Sequence, residues 1–165
     1  MRNAHEQQTT IRYGMVIDVD ICTGCGNCAV ACHVENNVPF RVDESDKTRN
    51  IEWLRIYQIE NGEMYPHARM AFIPRPCMQC DHHTPCVSVC PASATNYDGS
   101  TGIVDQINTR CIGCRYCMAA CPYMVRCFNW WDPKWPKEME NYLNPDVAPR
   151  MRGVVEKCTF CSHRY

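Results

Sequence analysis

The chain of 165 residues has neither a long apolar run nor an excess of one charge. A membrane-spanning helix needs about 18 or more apolar residues, and the longest apolar runs here are only a handful, so we expect no transmembrane segment. The formal net charge of −1 gives no reason to expect a polyanionic partner. The first ten residues are polar, without an apolar signal region or a twin-arginine pair, and are predicted to form a tail.

The sequence also lacks the motifs of most enzymes. It contains no phosphate-binding loop, no evident nucleophile–base pair and no cofactor fingerprint. We therefore expect a protein that is not an enzyme by itself and whose chemistry is supplied by bound groups.

Cysteine, in contrast, is abundant. The 15 cysteines make up about 9% of the chain, a level at which composition alone indicates a disulfide scaffold or a metal protein. Their odd number disfavours a closed set of disulfides. Cys127 stands alone, and the other cysteines form four groups: Cys22, Cys25, Cys28 and Cys32; Cys77, Cys80, Cys86 and Cys90; Cys111, Cys114, Cys117 and Cys121; and Cys158 with Cys161.

The spacing of the first and third groups, C-x2-C-x2-C-x3-C, is typical of ligands of cubane iron–sulfur clusters. Three cysteines on a tight loop can each bind one iron, and the fourth points to a second cluster. Gly24, Gly26 and Gly113 suit such a loop. Pro91 and Pro122 follow the fourth cysteine, as in bacterial ferredoxins. All fourteen grouped cysteines are therefore candidate ligands of [4Fe–4S] clusters.

Disulfides and zinc sites are the two alternatives to iron–sulfur clusters for these cysteines. Disulfides are disfavoured because cysteines at this spacing rarely bridge each other. Zinc is the stronger alternative, since C-x2-C pairs also form zinc ribbons. Zinc sites use two such pairs, however, and need neither a third cysteine nor the following proline. A zinc-stabilised binding module is kept as an alternative function.

The coarse pattern predicts an α+β, loop-rich fold with short hairpins between the cysteine groups. The predicted elements are a strand over 13–20, a helix over 29–36, strands over 51–59 and 68–73 joined at Asn61-Gly62, and strands over 95–97 and 103–105.

The stretch 129–152 holds three of the four tryptophans and four prolines, which exclude a regular helix throughout. It is either a docking loop with aromatic anchors at a subunit interface, or a surface connection whose tryptophans cover the clusters. The sequence does not decide between the two.

Several other residues lie close to the cysteines. His33, His82 and His83 are expected to be satisfied or exposed rather than ligands, and Cys127 is expected to be a buried free thiol. The basic residues near the cysteines are Arg110, Arg115, Arg126 and Lys157. They either raise the reduction potentials of the clusters, bind partner proteins or are simply solvated.

The four cysteine groups and their surroundings resemble one known family. The matching stretches are GMVIDVDICTGCGNCAVACHVENNVP, CMQCDHHTPCVSVCPASAT, CIGCRYCMAACPY and LNPDVAPRMRGVVEKCTFCSHR, which together cover most of residues 14–163. They resemble the four-cluster ferredoxin-type subunit of complex iron–sulfur molybdoenzymes, of the dimethyl sulfoxide and polysulfide reductase type. The iron–sulfur parts of quinone reductase complex and alternative complex III are similar too.

The resemblance implies how the cysteines are shared, within tandem bacterial-type two-cluster ferredoxin units. One cluster would be held by Cys77, Cys80, Cys86 and Cys121, and a second by Cys111, Cys114, Cys117 and Cys90. The outer sites would be incomplete, with Cys22, Cys25 and Cys28 in one and Cys32, Cys158 and Cys161 in the other. In the family the remaining cysteines follow further on, so a truncated C-terminus is expected, with up to four clusters if ligands exist beyond Tyr165.

The expected organisation is a tail over 1–12, a first ferredoxin half with a hairpin insertion over 13–76, a complete two-cluster unit over 77–128, and a Trp/Pro-rich docking stretch with the fourth cysteine group over 129–165. The resemblance implies a non-catalytic electron-transfer subunit. It would relay single electrons between a membrane quinone-reactive subunit and a large molybdopterin-type or related subunit. The alternative is a stand-alone soluble polyferredoxin. The expected location is a membrane-associated complex, with the periplasmic side preferred over the cytoplasmic.

Overall fold

The structure is a computed structural model that describes residues 12–39 and 50–164, so the predicted tail lies outside it except for Arg12. Its elements are short and lie between long loops. In chain order they are α1 (Asn27–Glu35), β1 (Arg55–Glu60), β2 (Met70–Arg75), α2 (Pro85–Ser88), β3 (Thr95–Tyr97), β4 (Val104–Gln106), α3 (Tyr116–Ala120), β5 (Cys127–Phe128) and β6 (Val155–Glu156), with 3-10 turns at Asn108–Arg110, Glu140–Tyr142 and Ser162–Arg164.

Of the three strand pairs in the described ranges, two are the predicted hairpins. β1 and β2 pair antiparallel from Arg55 opposite Arg75 to Glu60 opposite Met70. The side chain of Asn61 closes their turn, because its Oδ1 accepts the backbone N–H of Arg69 at 2.9 Å. β3 and β4 pair antiparallel in the same way. Both hairpins are confirmed, with strand bounds that differ by a few residues from the prediction.

The third strand pair was not predicted. β5 and β6 pair through Cys127 opposite Glu156, and the ladder is extended by a hydrogen bond from Asn129 N to the carbonyl of Val154 at 2.9 Å. These two strands close the base of the Trp- and Pro-rich stretch. In that stretch the structure has only the 3-10 turn at Glu140–Tyr142, which agrees with the predicted absence of a regular helix.

The predicted strand over 13–20 is wrong, because residues 12–18 pair with no strand among the residues that the structure describes. A β-branched segment needs a neighbouring strand to bury its side chains, and here Val16 is 96% exposed. Arg12 instead fixes the start of this segment, by donating to the carbonyl of Gly99 at 2.8 Å. The predicted helix after the first cysteines is confirmed as α1, which begins two residues earlier and ends one residue earlier than expected.

The apolar core is small and lies among the cysteine groups. Val38, Trp53 and Cys158 form one buried cluster, with Cys32 and Cys77 packed against it. Cysteines from three of the four groups thus take part in this core cluster.

Candidate iron–sulfur sites

Four cysteines from two groups line one cavity. Cys77, Cys80 and Cys86 come from the second group, and Cys121 comes from the end of the third. The remaining wall is mostly apolar and consists of Met78, Pro85, Val104, Pro122, Tyr123, Val125 and Arg126. We call this cavity site A.

A second cavity, site B, has the reciprocal composition. Cys111, Cys114 and Cys117 come from the third group, and Cys90 comes from the end of the second. Its other lining residues are Pro91, Ala92, Ala94, Thr95, Gln106, Ile112, Arg115 and Val155. The fold thus brings eight cysteines together as two sets of four.

A shared backbone conformation shapes the cysteine loops. In the first C-x2-C pair of each cysteine group, the residue before the second cysteine has a positive φ. These residues are Gly24 (70°), Gln79 (44°), Gly113 (73°) and Phe160 (58°). Glycine adopts this left-handed conformation without strain, whereas other residues adopt it at a cost of about 1 kcal/mol or more. The loops are therefore held in a tight curl even where no glycine is present.

The cysteine thiols are close enough within site A to affect one another. Burial raises the pKa of Cys80, and the charges of Cys77, Cys86 and Cys121 raise it further. Four thiolates cannot share such a cavity without a cation to neutralise them. A group that carries iron between the sulfurs meets this need, so the donor set of site A fits a cubane cluster.

Backbone N–H groups point at sulfur in site B. Ala94 N lies 3.2 Å from Cys90 Sγ, and Val155 N lies 3.4 Å from Cys111 Sγ. Burial alone would raise the pKa of Cys90, but backbone N–H donors outweigh it and lower that pKa. These bonds favour the thiolate, which is the form that binds metal.

The outer cysteines are brought together in part. Asn36, at the end of α1, has its Nδ2 3.7 Å from both Cys32 Sγ and Cys161 Sγ. Burial raises the pKa of Cys32 to about 12, and the charges of Cys158 and Cys161 act in the same direction. Cys32, Cys158 and Cys161 therefore lie close to one another at the end of α1.

The first cysteine loop is supported by the first hairpin. The ring of Phe72, on β2, lies where a Cβ on Gly24 would stand, at 2.5 Å. Of the three cysteines on this loop, Cys25 and Cys28 are exposed and Cys22 is partly buried. The loop thus presents its thiols at the surface of the described chain.

Cys127 and the histidines are the residues near the cysteine groups that were not expected to be cluster ligands. Cys127 is buried, and its sulfur lies 3.4 Å from both the N–H and the carbonyl of Glu52. Burial raises its pKa to about 11. His82 is exposed and so is His83, whereas burial of the partly buried His33 lowers its pKa.

Sequence reasoning missed a buried polar network beside the outer cysteines. Arg150 Nε donates to Glu156 Oε2 at 2.6 Å, and Trp53 Nε1 donates to the same oxygen at 3.1 Å. The guanidinium of Arg150 also lies 4.7 Å from the centre of the Trp53 ring and donates to the carbonyl of Asn36. No local sequence pattern indicated this network, because the segments that form it lie far apart in the chain.

The Trp- and Pro-rich stretch contacts the cysteine groups on two sides. Trp130 packs edge-on against Phe128 at 4.7 Å, and Arg115 of site B lies over its ring at 4.9 Å. Asn144 donates to the carbonyl of Glu35 on α1 at 2.8 Å. Trp131, in contrast, is 41% exposed. Tyr142 is 81% exposed. The stretch therefore covers part of site B and still presents aromatic side chains to solvent.

Two features are absent from the described residues. No three histidine, cysteine or acidic side chains in 12–39 and 50–164 are placed to hold a single metal ion. Among the same residues, no helix is long and apolar enough to cross a membrane.

Comparison with known proteins identifies the family. Two models described as 4Fe-4S dicluster domains match residues 21–94 and 68–140. The arsenate respiratory reductase iron–sulfur subunit of Shewanella sp. (strain ANA-3) is 36% identical over 182 residues, which cover 93% of this chain and 73% of that protein. The chain belongs to this family of 4Fe–4S dicluster iron–sulfur subunits. Its cofactors are [4Fe–4S] clusters, and its fold is that of tandem dicluster ferredoxin domains.

Other relatives carry related names. The menaquinone reductase iron–sulfur cluster-binding subunit of Nitratidesulfovibrio vulgaris is 56% identical over 155 residues, covering 94% of this chain and 60% of that protein. The iron–sulfur subunit of a dimethyl sulfoxide reductase, named as putative, from Halobacterium salinarum is 42% identical over 165 residues, covering 92% and 57%. The chain thus spans a little under two thirds of the length of these two relatives.

Proposed function

We propose that the chain relays single electrons as a non-catalytic subunit of an oxidoreductase complex. The observation that carries this proposal is the pair of cavities, each lined by four cysteines from two groups. A [4Fe–4S] cluster, when bound, takes up and returns one electron at a time. The protein holds the thiolates, excludes water with apolar walls and directs N–H groups at sulfur.

The proposed ligand sets follow the two cavities. Site A is assigned Cys77, Cys80, Cys86 and Cys121, and site B is assigned Cys90, Cys111, Cys114 and Cys117. Residues 77–128 then form a complete two-cluster unit.

Two further clusters are proposed at the outer cysteines. The set Cys22, Cys25 and Cys28 needs one more ligand, and so does the set Cys32, Cys158 and Cys161. Cys127, the one remaining cysteine of the chain, is bonded to Glu52 instead. We propose that the missing ligands lie outside residues 1–165, which agrees with the greater length of the relatives.

The proposed partners are a membrane quinone-reactive subunit and a large molybdopterin-type or related subunit. The names of relatives support the quinone side, since one is a menaquinone reductase subunit and another a subunit of an Hdr-like menaquinol oxidoreductase. They also support the large subunit, through a dimethyl sulfoxide reductase and a selenate reductase. A membrane-associated complex follows from such partners, and the periplasmic side is proposed.

Purification of the native complex tests this function. A tagged full-length subunit, isolated from detergent-solubilised membranes, is expected to bring both partners with it, and a quinol analogue is expected to reduce its clusters. A quinol-site inhibitor is the control, and protease treatment of intact spheroplasts reports the side of the membrane. Recovery of the loaded subunit alone, with equal activity toward unrelated acceptors, would instead establish a stand-alone carrier.

A further inference from the structure

Four basic residues adjoin the proposed ligands, and the structure divides them into two kinds. Arg110 and Arg115 are exposed. Arg126 is 4% exposed and Lys157 is 0% exposed. A buried cation is costly unless negative charge compensates it. The two buried cations therefore need a counter-charge inside the protein, whereas water screens the two exposed ones.

Arg126 lies between sites A and B. Its side chain lines site A, and its two hydrogen-bond acceptors, Thr95 and Gln106, line site B. There it opposes the rise that burial causes in the pKa of Cys117. Nη1 donates to two neutral oxygens, Gln106 Oε1 at 2.9 Å and Thr95 Oγ1 at 3.2 Å. Nη2 is buried and has no hydrogen-bond partner in the described part of the chain.

Because a guanidinium stays protonated in proteins, Arg126 carries a full charge without a carboxylate hydrogen-bonded to it in the described chain. Its free N–H groups and its position in the wall of site A point to sulfur as the compensating acceptor.

Lys157 lies beside the loop of site A, because the carbonyl of Cys158 that accepts its hydrogen bond also accepts one from Gln79 Nε2, on that loop, at 2.9 Å. Its Nζ donates to the carbonyl of Cys158 at 2.7 Å. Burial and the charge of Arg126 lower the pKa of Lys157, and the charges of Cys77, Cys158 and Cys86 oppose this effect. Two of these three cysteines belong to site A, and the third belongs to the outer group. The half-buried Asp105 also interacts with Lys157.

We propose that Arg126 and Lys157 set the reduction potentials of the inner clusters, Arg126 for sites A and B together and Lys157 for site A but not site B. This inference rests on the proposed ligand sets. Reduction adds one negative charge to a cluster, so a fixed cation nearby stabilises the reduced state. The effect is strong where water is excluded and weak at an exposed position. Lys157 thereby shifts an electron shared by the two sites toward site A.

EPR-monitored redox titration of the loaded full-length subunit in its complex tests this inference. The charge-removing variants are Lys157→Met and Arg126→Gln, and Arg126→Lys keeps the charge. The matched control is Arg110→Gln, which removes an exposed charge next to Cys111. Iron and acid-labile sulfide are counted in every variant, so that cluster loss is separated from a change of potential.

We expect Lys157→Met to weaken electron affinity at site A at least tenfold, which is about 59 mV for a one-electron couple, and to leave site B unchanged. Arg126→Gln is expected to lower both potentials, Arg126→Lys to restore much of the loss, and Arg110→Gln to change little. Full iron content with unchanged potentials in Lys157→Met overturns the inference. If Lys157→Met loses iron, Lys157→Gln is titrated instead.

Loss of iron in Arg126→Lys and in both Lys157 variants also overturns the inference, because packing rather than charge would then be what these side chains supply. If the wild-type protein lacks two four-iron signals that depend on the cysteines of sites A and B, the proposed ligand sets fail instead. The iron count and the cysteine variants therefore separate the two failures.

Discussion

Arg150 and Glu156 form a salt bridge of 2.6 Å in which both side chains are almost fully buried, at 3% and 1% exposure. The pair joins the end of the Trp- and Pro-rich stretch to β6. Glu156 directly precedes Lys157 and lies two residues before Cys158. It also anchors α1, because Arg150 Nη2 donates to the carbonyl of Asn37 at 2.8 Å. The pair thus fixes the end of α1 against the fourth cysteine group.

Breaking this pair should destabilise the fold around the outer cysteines and weaken their hold on a cluster. Removal of one partner from a buried ion pair costs about 3–5 kcal/mol, because the other charge is left uncompensated. We therefore expect the loaded full-length subunit to release its clusters at a lower urea concentration in Glu156→Gln and in Arg150→Met. Cluster release is measured as the loss of visible absorbance.

The double variant Arg150→Met/Glu156→Gln supplies the control for that experiment. It removes both charges, so it should be less destabilised than the sum of the single changes. Strict additivity of the two single effects would show that the ion pair does not couple these residues.

A second prediction concerns the close approach of two backbones at site B. A Cβ on Gly113, which has a φ of 73°, would lie 2.4 Å from the carbonyl oxygen of Gly153. Gly113→Ala is therefore expected to displace the third cysteine loop and to lower the iron content. Gly26→Ala is the matched control, since its φ is 80° but nothing lies within 4 Å of the added Cβ.

The control variant carries only the backbone strain of about 1 kcal/mol. Iron per chain, measured with the EPR spectrum of the reduced protein, compares the two. Equal iron loss in both variants would mean that strain, not the contact with Gly153, is what matters.

These glycines show how far the sequence could predict the sites. Glycine before the second cysteine indicated the tight curl at Gly24 and Gly113, but Gln79 and Phe160 adopt the same positive φ without any such signal. At those two positions the surrounding fold imposes a conformation that local preference does not favour.

The success of the strand predictions depended on how close in sequence the pairing partner lies. The hairpin of β1 and β2 was predictable because its strands are close in sequence, although the connection spans residues 61–69 rather than the predicted turn at Asn61-Gly62 alone. The pairing of Cys127 with Glu156 joins residues far apart in the chain, so no short pattern indicates it. Val16 lies in a segment with strand-forming composition, yet it pairs with no strand in the described part of the chain.

A third prediction separates a ligand from a bystander. Cys121 lines site A, whereas Cys127 contacts Glu52. In the loaded full-length subunit, Cys121→Ala is expected to remove the EPR signal of one [4Fe–4S] cluster. Cys127→Ala should leave the iron content and all signals unchanged, with only the small loss of stability caused by truncating a buried side chain. Loss of a cluster in Cys127→Ala would contradict the ligand assignment.

A fourth prediction uses the pKa of about 11 that burial gives Cys127. Because its pKa in the folded protein is raised, this thiol stays protonated as the pH rises through the range in which cysteines usually ionise. Only the thiolate form reacts quickly with alkylating agents. We expect iodoacetamide at pH 8.5 to leave Cys127 unmodified in the folded loaded subunit and to modify it after denaturation, as read by peptide mass spectrometry. Rapid alkylation of the folded protein would show that Cys127 is accessible.

The exchange of cysteines between sites A and B is the central claim, and anomalous diffraction at the iron edge tests it most directly. In crystals of the loaded full-length subunit or its complex, we expect iron in both cavities. Cys121 should bind the cluster held by Cys77, Cys80 and Cys86, and Cys90 should bind the other inner cluster. Iron density that places Cys121 on the same cluster as Cys117, or an inner cavity without iron in a chain with full iron content, would contradict this account.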